Sequence, residues 1–310
     1  MPIVDLRQMN SRQLEPLLEE EARHWREELH WDYRGSLELI KKFVDARSLA
    51  GSVAVEDDQA AGYGFYVLEE HKGLVGGLFV SPRFPQLALS QKLLAQMLST
   101  LRAIPRIERI EAQLMPFGCV LDQALIEQDF RLYTRQFMLL SLDQTQLGGT
   151  QLSAGLRLER WHDRYFEPSA RLIQLAYANH VDGEINDQYR SDAGALKFLK
   201  NIVILPGCGQ FQAEASFALR PVGSDRLVGV VLTSAVSHGV GHTTQICVMP
   251  GYQGQGLGRQ LMEASIQALR ARAFTALSLT VTSVNATAVR LYEHLGFHTI
   301  KTFAAGVWQA

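Results

Sequence analysis

The sequence has little cysteine and almost no net charge. Its three cysteines, Cys119, Cys208 and Cys247, are far apart and form no CxxC pair, so a disulfide framework and a zinc-ribbon site are not expected. The 30 basic and 32 acidic residues leave a formal charge of -2, with no long run of Lys or Arg. We therefore expect neither a nucleic-acid partner nor an anionic membrane partner.

Long hydrophobic runs are also missing. No window approaches the roughly 20 consecutive apolar residues of a membrane-spanning helix. The first residues, Met1 to Asp5, lack the basic and apolar segments of a secretory signal. With the scarce cysteines, this predicts a cytoplasmic protein without a membrane partner.

The chain is long enough for two domains. It has 310 residues, of which 47% are hydrophobic, an ordinary fraction for a globular protein with a large core. Gly148-Gly149 lies among small polar residues between two apolar segments. We predict a first domain at 1–142, a linker at 143–155 and a second domain at 156–310.

Strand-like and helix-like segments alternate in both halves, in the same order, which predicts an α/β (or α+β) fold and an internal duplication. In the second half, a helix with one apolar face follows the glycine-rich segment, with Glu263, Gln267 and Arg270 expected on its polar face. Asn285 is placed to cap the next helix, and Gly296 is placed to end it. The predicted strands are 63–68, 74–80, 107–113, 156–161, 216–220, 227–233, 244–249 and 277–281, and the predicted helices are 90–101, 121–128, 168–179 and 196–202.

A glycine-rich segment joins a strand to that amphipathic helix. It reads Val248-Met249-Pro250-Gly251-Tyr252-Gln253-Gly254-Gln255-Gly256-Leu257-Gly258-Arg259. Alternate glycines let the backbone turn tightly and direct several N–H groups at one point, beside a helix N-terminus that favours phosphate. No Lys-Ser/Thr pair ends the segment, and it lacks the G-x-G-x-x-G spacing, so P-loop and dinucleotide folds fit less well.

Two segments resemble the signatures of the GNAT acetyltransferase superfamily. Gln253 to Gly258 is similar to the family's Q/R-x-x-G-x-G/A loop, which holds the pyrophosphate of coenzyme A. Residues 285–297 resemble its N-x-x-A-x-x-L-Y-x-x-x-G-F segment. The resemblance implies two tandem GNAT-like domains, each a mixed, mostly antiparallel twisted sheet flanked by helices, in a mycothiol-synthase-like architecture.

The resemblance also implies roles for residues of the second half. The backbone of Ile246, Cys247 and Val248 would pair with the pantetheine arm of acetyl-CoA as an added strand. Asn285 would hydrogen-bond the same arm, and Tyr292 would protonate the departing thiolate. No metal is implied. Gln253 and the main-chain N–H groups that follow it would hold the pyrophosphate: Gly254, Gln255, Gly256, Leu257, Gly258 and Arg259.

The general base and the acceptor site are less closely defined. Counting back from Ile246 to the position of a family glutamate gives His242, which would share a strand face with Ile246 and titrates near neutral pH. A water chain to Asp182 or Glu184 is an equal alternative. We expect the acceptor, a small-molecule or peptide amine, to meet the irregular stretch 180–188 and its neighbours, with Asp182, Glu184 and Tyr189 as contacts.

The first half keeps the apolar pattern but not the chemistry. Residues 80–93 align without a gap with residues 248–261, so Pro85 replaces Gln253, and Gln86, Ala88 and Ser90 replace the glycines. Proline removes an N–H donor, and side chains fill the space for phosphate oxygens. We predict a degenerate first domain that does not bind coenzyme A.

The predicted function is acetyl transfer from acetyl-CoA to an amine by direct attack in a ternary complex. Two alternatives stay open at this point: a non-catalytic acyl-CoA sensor, and transfer of another acyl or aminoacyl group on the same scaffold. The sequence leaves the acceptor, the acyl chain length and the oligomeric state undefined.

Overall fold

A computed structural model describes residues 1–145, 147–148 and 154–310, and the chain divides into two compact units. Unit 1 comprises Met1–Arg135 with Thr302–Ala310, and unit 2 comprises Gln136–Lys301. Among the described residues, no helix is both long and apolar enough to span a bilayer.

Unit 1 is a sheet with helices packed on it. Its strands lie in the order β1-β2-β3-β4-β5-β13, and all neighbours are antiparallel except β4 and β5. Its elements are β1 Ile3–Asp5, α1 Ser11–Leu29, α2 Arg34–Asp45, β2 Ala50–Glu56, β3 Gln59–Glu69, β4 Lys72–Val80, α3 Gln86–Arg102, β5 Arg109–Gln113, α4 Asp122–Ile126 and the end of β13 His298–Gln309.

Unit 2 repeats this plan. Its strands follow the order β6-β12-β11-β10-β9-β7, with β8 on β10, and β11 with β12 is a parallel pair. Its elements are the end of β6 Arg131–Ser141, then β7 Leu156–Arg160, α5 Phe166–Tyr177, α6 Val181–Ile185, α7 Asp192–Ile204, β8 Gln210–Phe211, β9 Phe217–Pro221, β10 Gly229–Ser237, β11 Val240–Val248, α8 Leu257–Arg270, β12 Ala276–Thr282 and α9 Ala286–His294.

The predicted fold class is confirmed: each sheet is mixed, mostly antiparallel and flanked by helices. Every predicted strand and helix is present, with ends that differ by a few residues. One difference is in the stretch 180–188, which contains the short helix α6 and the start of a 3-10 helix at Asp187–Arg190. The side chains of His180 and Asn186 cap these two helices. Such local hydrogen bonds cannot be predicted from hydrophobic periodicity.

Helix α8 packs its apolar face into the core of unit 2 as predicted, with Leu261, Ile266 and Leu269 fully buried. Glu263, however, was expected on the polar face and is buried, at 3% exposure. Arg259 lies one turn before it, and the Arg259 Nε donates to its carboxylate at 2.8 Å. This charge-assisted bond stabilises a carboxylate that periodicity alone would put in solvent.

The two compact units differ from the predicted domain limits in their last strands. Residues Gln136–Ser141 of β6 belong to unit 2, and Thr302–Ala310 belong to unit 1, where Ala305 to Gln309 pair with β5. An apolar pattern identifies a strand but does not show with which sheet the strand pairs. The limits 1–142 and 156–310 stay a prediction, and the proposed linker 143–155 includes Gln146 and 149–153, which lie outside the described residues.

Candidate active site in the second unit

Strand β11 contains a β-bulge that reverses its alternation of faces. Thr243 pairs with Thr233 and Gln245 pairs with Leu232, so Thr244 is an extra residue between two consecutive pairs. The predicted shared face of His242 and Ile246 is therefore wrong, because alternation with period two requires an uninterrupted ladder.

His242 lies on the β11 strand before the bulge and is buried, at 8% exposure. Its Nδ1 lies 2.9 Å from the Ser278 hydroxyl, and its ring stacks on Phe137 with centroids 5.7 Å apart. These contacts describe a packed core histidine. Its role as general base stays a prediction.

The end of β11 has backbone groups that form no hydrogen bonds of the sheet ladder. In the described part of the chain, its parallel register with β12 covers Val240 to Thr243 only. Met249 N–H donates to Val228 O at 2.9 Å, so the alternate residues Val248 and Ile246 direct their N–H and C=O groups away from β10. This edge can accept an extended ligand as an additional strand.

The glycine-rich turn ends at an open helix N-terminus. Gly254 and Gly256 have φ angles of 76° and 77°, a left-handed conformation that glycine adopts without strain. A Cβ at either position would have no atom within 4 Å. Gly256 is the N-cap of α8 and provides no side-chain cap, so the first N–H groups of the helix stay available to a ligand.

Helix α9 begins at the predicted cap. The Oδ1 of Asn285 accepts from Ala288 N–H at 3.2 Å, and Gly296 has a φ of 95° just after the helix. Tyr292 lies on the buried side of α9, at 6% exposure, with its ring edge against Phe297. Burial and the nearby Asp182 carboxylate raise the pKa of Tyr292 well above its usual range, so the phenol stays protonated.

These three elements surround one cavity of about 490 Å³. Strand β11, the glycine-rich turn and α9 each contribute residues that the sequence had selected. The predicted residues in its lining are Ile246, Cys247, Val248, Gln253, Gly254, Gly256, Leu257, Gly258, Arg259, Asn285 and Tyr292.

Two further lining residues come from outside these three elements: Tyr177, the last residue of α5, and His180, the N-cap of α6. Tyr177 and His180 line this cavity and also a second cavity of about 540 Å³. The Tyr177 hydroxyl donates to Ile246 O at 3.2 Å, and burial raises the pKa of this phenol far above its usual range. No sequence signal pointed to Tyr177, whereas His180 begins the stretch 180–188 that is predicted to meet the acceptor.

The second cavity contains part of the predicted acceptor site. Glu184 and Arg190 line it, and Arg190 donates to Gly183 O at 2.7 Å from its Nε. Asp182 and Tyr189 are not in its lining but support it: Asp182 accepts from the Thr282 hydroxyl, and the Tyr189 ring packs on Tyr177 at 4.6 Å.

Gln255 is the one residue of the predicted pyrophosphate loop that does not line the first cavity. Its side chain is directed back along the turn and donates to Gly251 O at 3.4 Å. Among the described residues, no group of three or more His, Cys, Asp or Glu side chains is arranged to hold a metal ion.

The chain is similar to known acetyltransferases. Residues 187–297 match the model of the Acetyltransferase (GNAT) family. The mycothiol acetyltransferase of Beutenbergia cavernae is 29% identical over 164 residues, 52% of each chain. The ribosomal protein bS18-alanine N-acetyltransferase of Salmonella typhimurium is 37% identical over 89 residues, 28% of this chain and 58% of that one. The chain thus spans about half the length of these curated relatives.

The fold extends the similarity to both units. The solved structure of a tandem GNAT protein from the clavulanic acid biosynthesis pathway superposes with a TM-score of 0.63 at 13% identity, covering 99% of this chain and 98% of that one. At this identity the likeness concerns the fold, which is a tandem one. The match to the GNAT acetyltransferase family covers residues 187–297, which lie within the second unit.

Proposed function

We propose that unit 2 binds acetyl-CoA and transfers its acetyl group to an amine. One observation carries the proposal: a single cavity is lined by a strand edge with outward N–H groups, an uncapped helix N-terminus behind glycines, and a buried neutral tyrosine. Each of these matches a different part of the coenzyme. Together they favour coenzyme A over a smaller phosphate-containing ligand.

The residues present fit this ligand in two places. Open space at Gly254 and Gly256 leaves room for pyrophosphate oxygens at the N-terminus of α8, beside the Arg259 side chain. The outward N–H groups of Ile246 and Val248 would donate to carbonyls of the pantetheine arm. The carbonyls of these two residues already accept from the Tyr177 hydroxyl and from Gln253 Nε2. The neighbouring Cys247 directs its backbone to β10, so we assign it packing and not pairing.

Bound acetyl-CoA would supply an activated acyl group and a thiolate leaving group. Tyr292 would act as the proton donor, because its phenol is protonated at neutral pH and lies in the lining of the cavity. Tyr177 would hold β11 in place through its bond to Ile246 O. For the base, His242 and a water chain to Asp182 or Glu184 stay the alternatives, and Glu184 has the advantage of lining the second cavity.

We propose the second cavity as the acceptor site, because it shares Tyr177 and His180 with the first. Acyl transfer requires the amine and the acyl group to meet within about 3 to 3.5 Å. Relatives named for mycothiol and for the alanine of a ribosomal protein suggest a small-molecule amine or a peptide N-terminus. The cytoplasmic location and the absence of a nucleic-acid partner stay predictions.

We propose that unit 1 does not bind coenzyme A. In unit 2 the turn at residues 254–256 precedes α8, but the aligned residues 86–88 already belong to α3. Pro85 is the N-cap of α3, with φ at −63°, and the turn with left-handed glycines is absent from this helix start. A pyrophosphate would therefore find no loop to enclose it.

The test is calorimetric titration with acetyl-CoA of the wild type and of Gly256→Gln. The glutamine fills the space for the phosphate and strains a positive φ, so we expect affinity to fall at least about 100-fold. Gly223→Gln is the matched control: its φ is 79°, its Cβ also meets nothing, and it lies outside the cavity. Absence of wild-type binding would refute the proposal, whereas binding without turnover of any amine would indicate a sensor.

A further inference from the structure

His180 has no role in the chemistry described above, although it lines both cavities. It is the N-cap of α6, and its Nδ1 accepts from Asp182 N–H at 3.1 Å. A neutral imidazole carries one proton, and a nitrogen that accepts a hydrogen bond does not hold it. The ring proton is therefore on Nε2.

The alternative tautomer would put a proton on Nδ1, against the N–H of Asp182. This N–H belongs to the first turn of α6 and cannot turn away. The Asp182 Oδ2 lies 3.6 Å from Nδ1, too far to accept that proton in a hydrogen bond. The local backbone thus selects the Nε2–H form of His180.

The Nε2 atom of His180 lies 3.1 Å from the Nδ2 atom of Asn285. The Oδ1 of Asn285 is occupied by its capping bond to Ala288 N–H, so the group that faces His180 is the amide NH₂. Two N–H donors consequently meet on the wall of the coenzyme cavity. They cannot satisfy each other, but one oxygen beside both could accept from both.

We propose that His180 Nε2–H and Asn285 Nδ2–H together bind one carbonyl oxygen of acyl-CoA, as a two-donor clamp at the junction of the two cavities. The inference rests on the proposed function. It makes His180 a hydrogen-bond donor to the coenzyme and not the general base, because its Nδ1 is occupied and its Nε2 is protonated.

Acyl-CoA offers carbonyls of two kinds: the amides of the pantetheine arm and the thioester. Both would accept the same two bonds. Free coenzyme A contains only the amide carbonyls, so comparing coenzyme A with acetyl-CoA separates the two sources.

The substitution His180→Asn removes the donor and keeps the cap, because asparagine is also a preferred N-cap residue. We expect acetyl-CoA affinity to fall about three- to tenfold, the effect of one hydrogen bond, with unchanged thermal unfolding. An equal loss with coenzyme A assigns an amide carbonyl, and a loss with acetyl-CoA alone assigns the thioester. The control is His298→Asn, at an exposed histidine outside both cavities, which should bind like the wild type.

Two measurements complete the test. In a double-mutant cycle with Asn285→Asp, the losses should be non-additive, because both donors serve one oxygen. Nitrogen-15 NMR of histidine-labelled protein, with His180 assigned through His180→Asn, should show Nε2 protonated with and without coenzyme A. Unchanged affinity of His180→Asn, or an unprotonated Nε2 with coenzyme A bound, overturns the clamp. If the wild type does not bind acetyl-CoA, the proposed function itself fails.

Discussion

At the scale of single residues, burial further favours the neutral form of the tyrosines near the candidate active site. Tyr292 and Tyr177 are surrounded by apolar groups, which raises the pKa of each phenol and keeps it neutral. The Tyr177 hydroxyl is occupied by the carbonyl of Ile246. This leaves Tyr292 as the phenol suited to donate a proton.

The substitution Tyr292→Phe removes this hydroxyl and keeps the ring that packs on Phe297. We expect kcat to fall about 100-fold or more, the usual contribution of a general acid, with acetyl-CoA affinity almost unchanged. Steady-state turnover of an amine that the wild type acetylates, together with calorimetry, gives both values. An unaltered kcat would remove Tyr292 from the proton-donor role.

A second residue-scale feature lies in unit 1, where Glu21 is buried at 2% exposure. Its carboxyl accepts from the Tyr63 hydroxyl at 2.6 Å and from the Trp25 indole at 3.3 Å. Burial outweighs these bonds and raises the pKa of Glu21 from 4.5 to about 7. The folded protein therefore holds a proton that the unfolded chain has lost between these two pH values.

The sign of the resulting pH dependence follows from linkage. Because the folded state binds more protons in this window, the free energy of unfolding falls as pH rises from 4.5 to about 7. The glutamine of Glu21→Gln cannot ionise, so the free energy of unfolding of this variant should not show the fall that Glu21 causes. Chemical denaturation at several pH values measures the free energy of unfolding of both proteins. As pH rises through the window, the value for the variant should increase relative to that of the wild type by up to about 3 kcal/mol. A constant difference would contradict the raised pKa.

At the scale of elements, the start of α9 combines two functions in Asn285. Its Oδ1 caps the helix, and its Nδ2 faces the cavity beside His180. Asparagine and aspartate cap equally well, but only asparagine donates from this atom. The two functions can therefore be separated by substitution.

We expect Asn285→Asp to unfold like the wild type and to bind acetyl-CoA more weakly. Asn285→Ala should lose binding and also about 1 kcal/mol of stability, because the cap is gone. Thermal unfolding and calorimetry on both variants measure the two effects. Equal stability of Asp and Ala variants would mean that the cap contributes little to α9.

At the scale of the whole molecule, the two units share a plan but not the glycine turn that we propose binds the pyrophosphate. Because residues 86–88 are helical where 254–256 form a turn, we predict one acetyl-CoA site per chain. Calorimetric stoichiometry measures this directly. A value near two would show that unit 1 also binds the coenzyme, and a Gly256→Gln variant that kept one site would locate it there.

Much of this protein was predictable from local sequence patterns. The order of strands and helices, the Asn285 cap, the left-handed Gly296 and the glycine turn each depend on a few neighbouring residues. Such features follow from backbone sterics and from hydrogen bonds within one or two turns. For this reason the first cavity contains nearly every residue that the two motifs selected.

The tertiary structure decided what depends on partners distant in sequence. The bulge at Thr244 separates His242 from the face of Ile246, and only the register with β10 produces it. Glu263 is buried against Arg259, and the end of β13 pairs with β5 in unit 1. His180 meets Asn285 across 105 positions of sequence, because the N-terminal ends of α6 and α9 border one cavity. Local patterns determined the elements and the coenzyme loop, whereas long-range packing decided which side chains meet there.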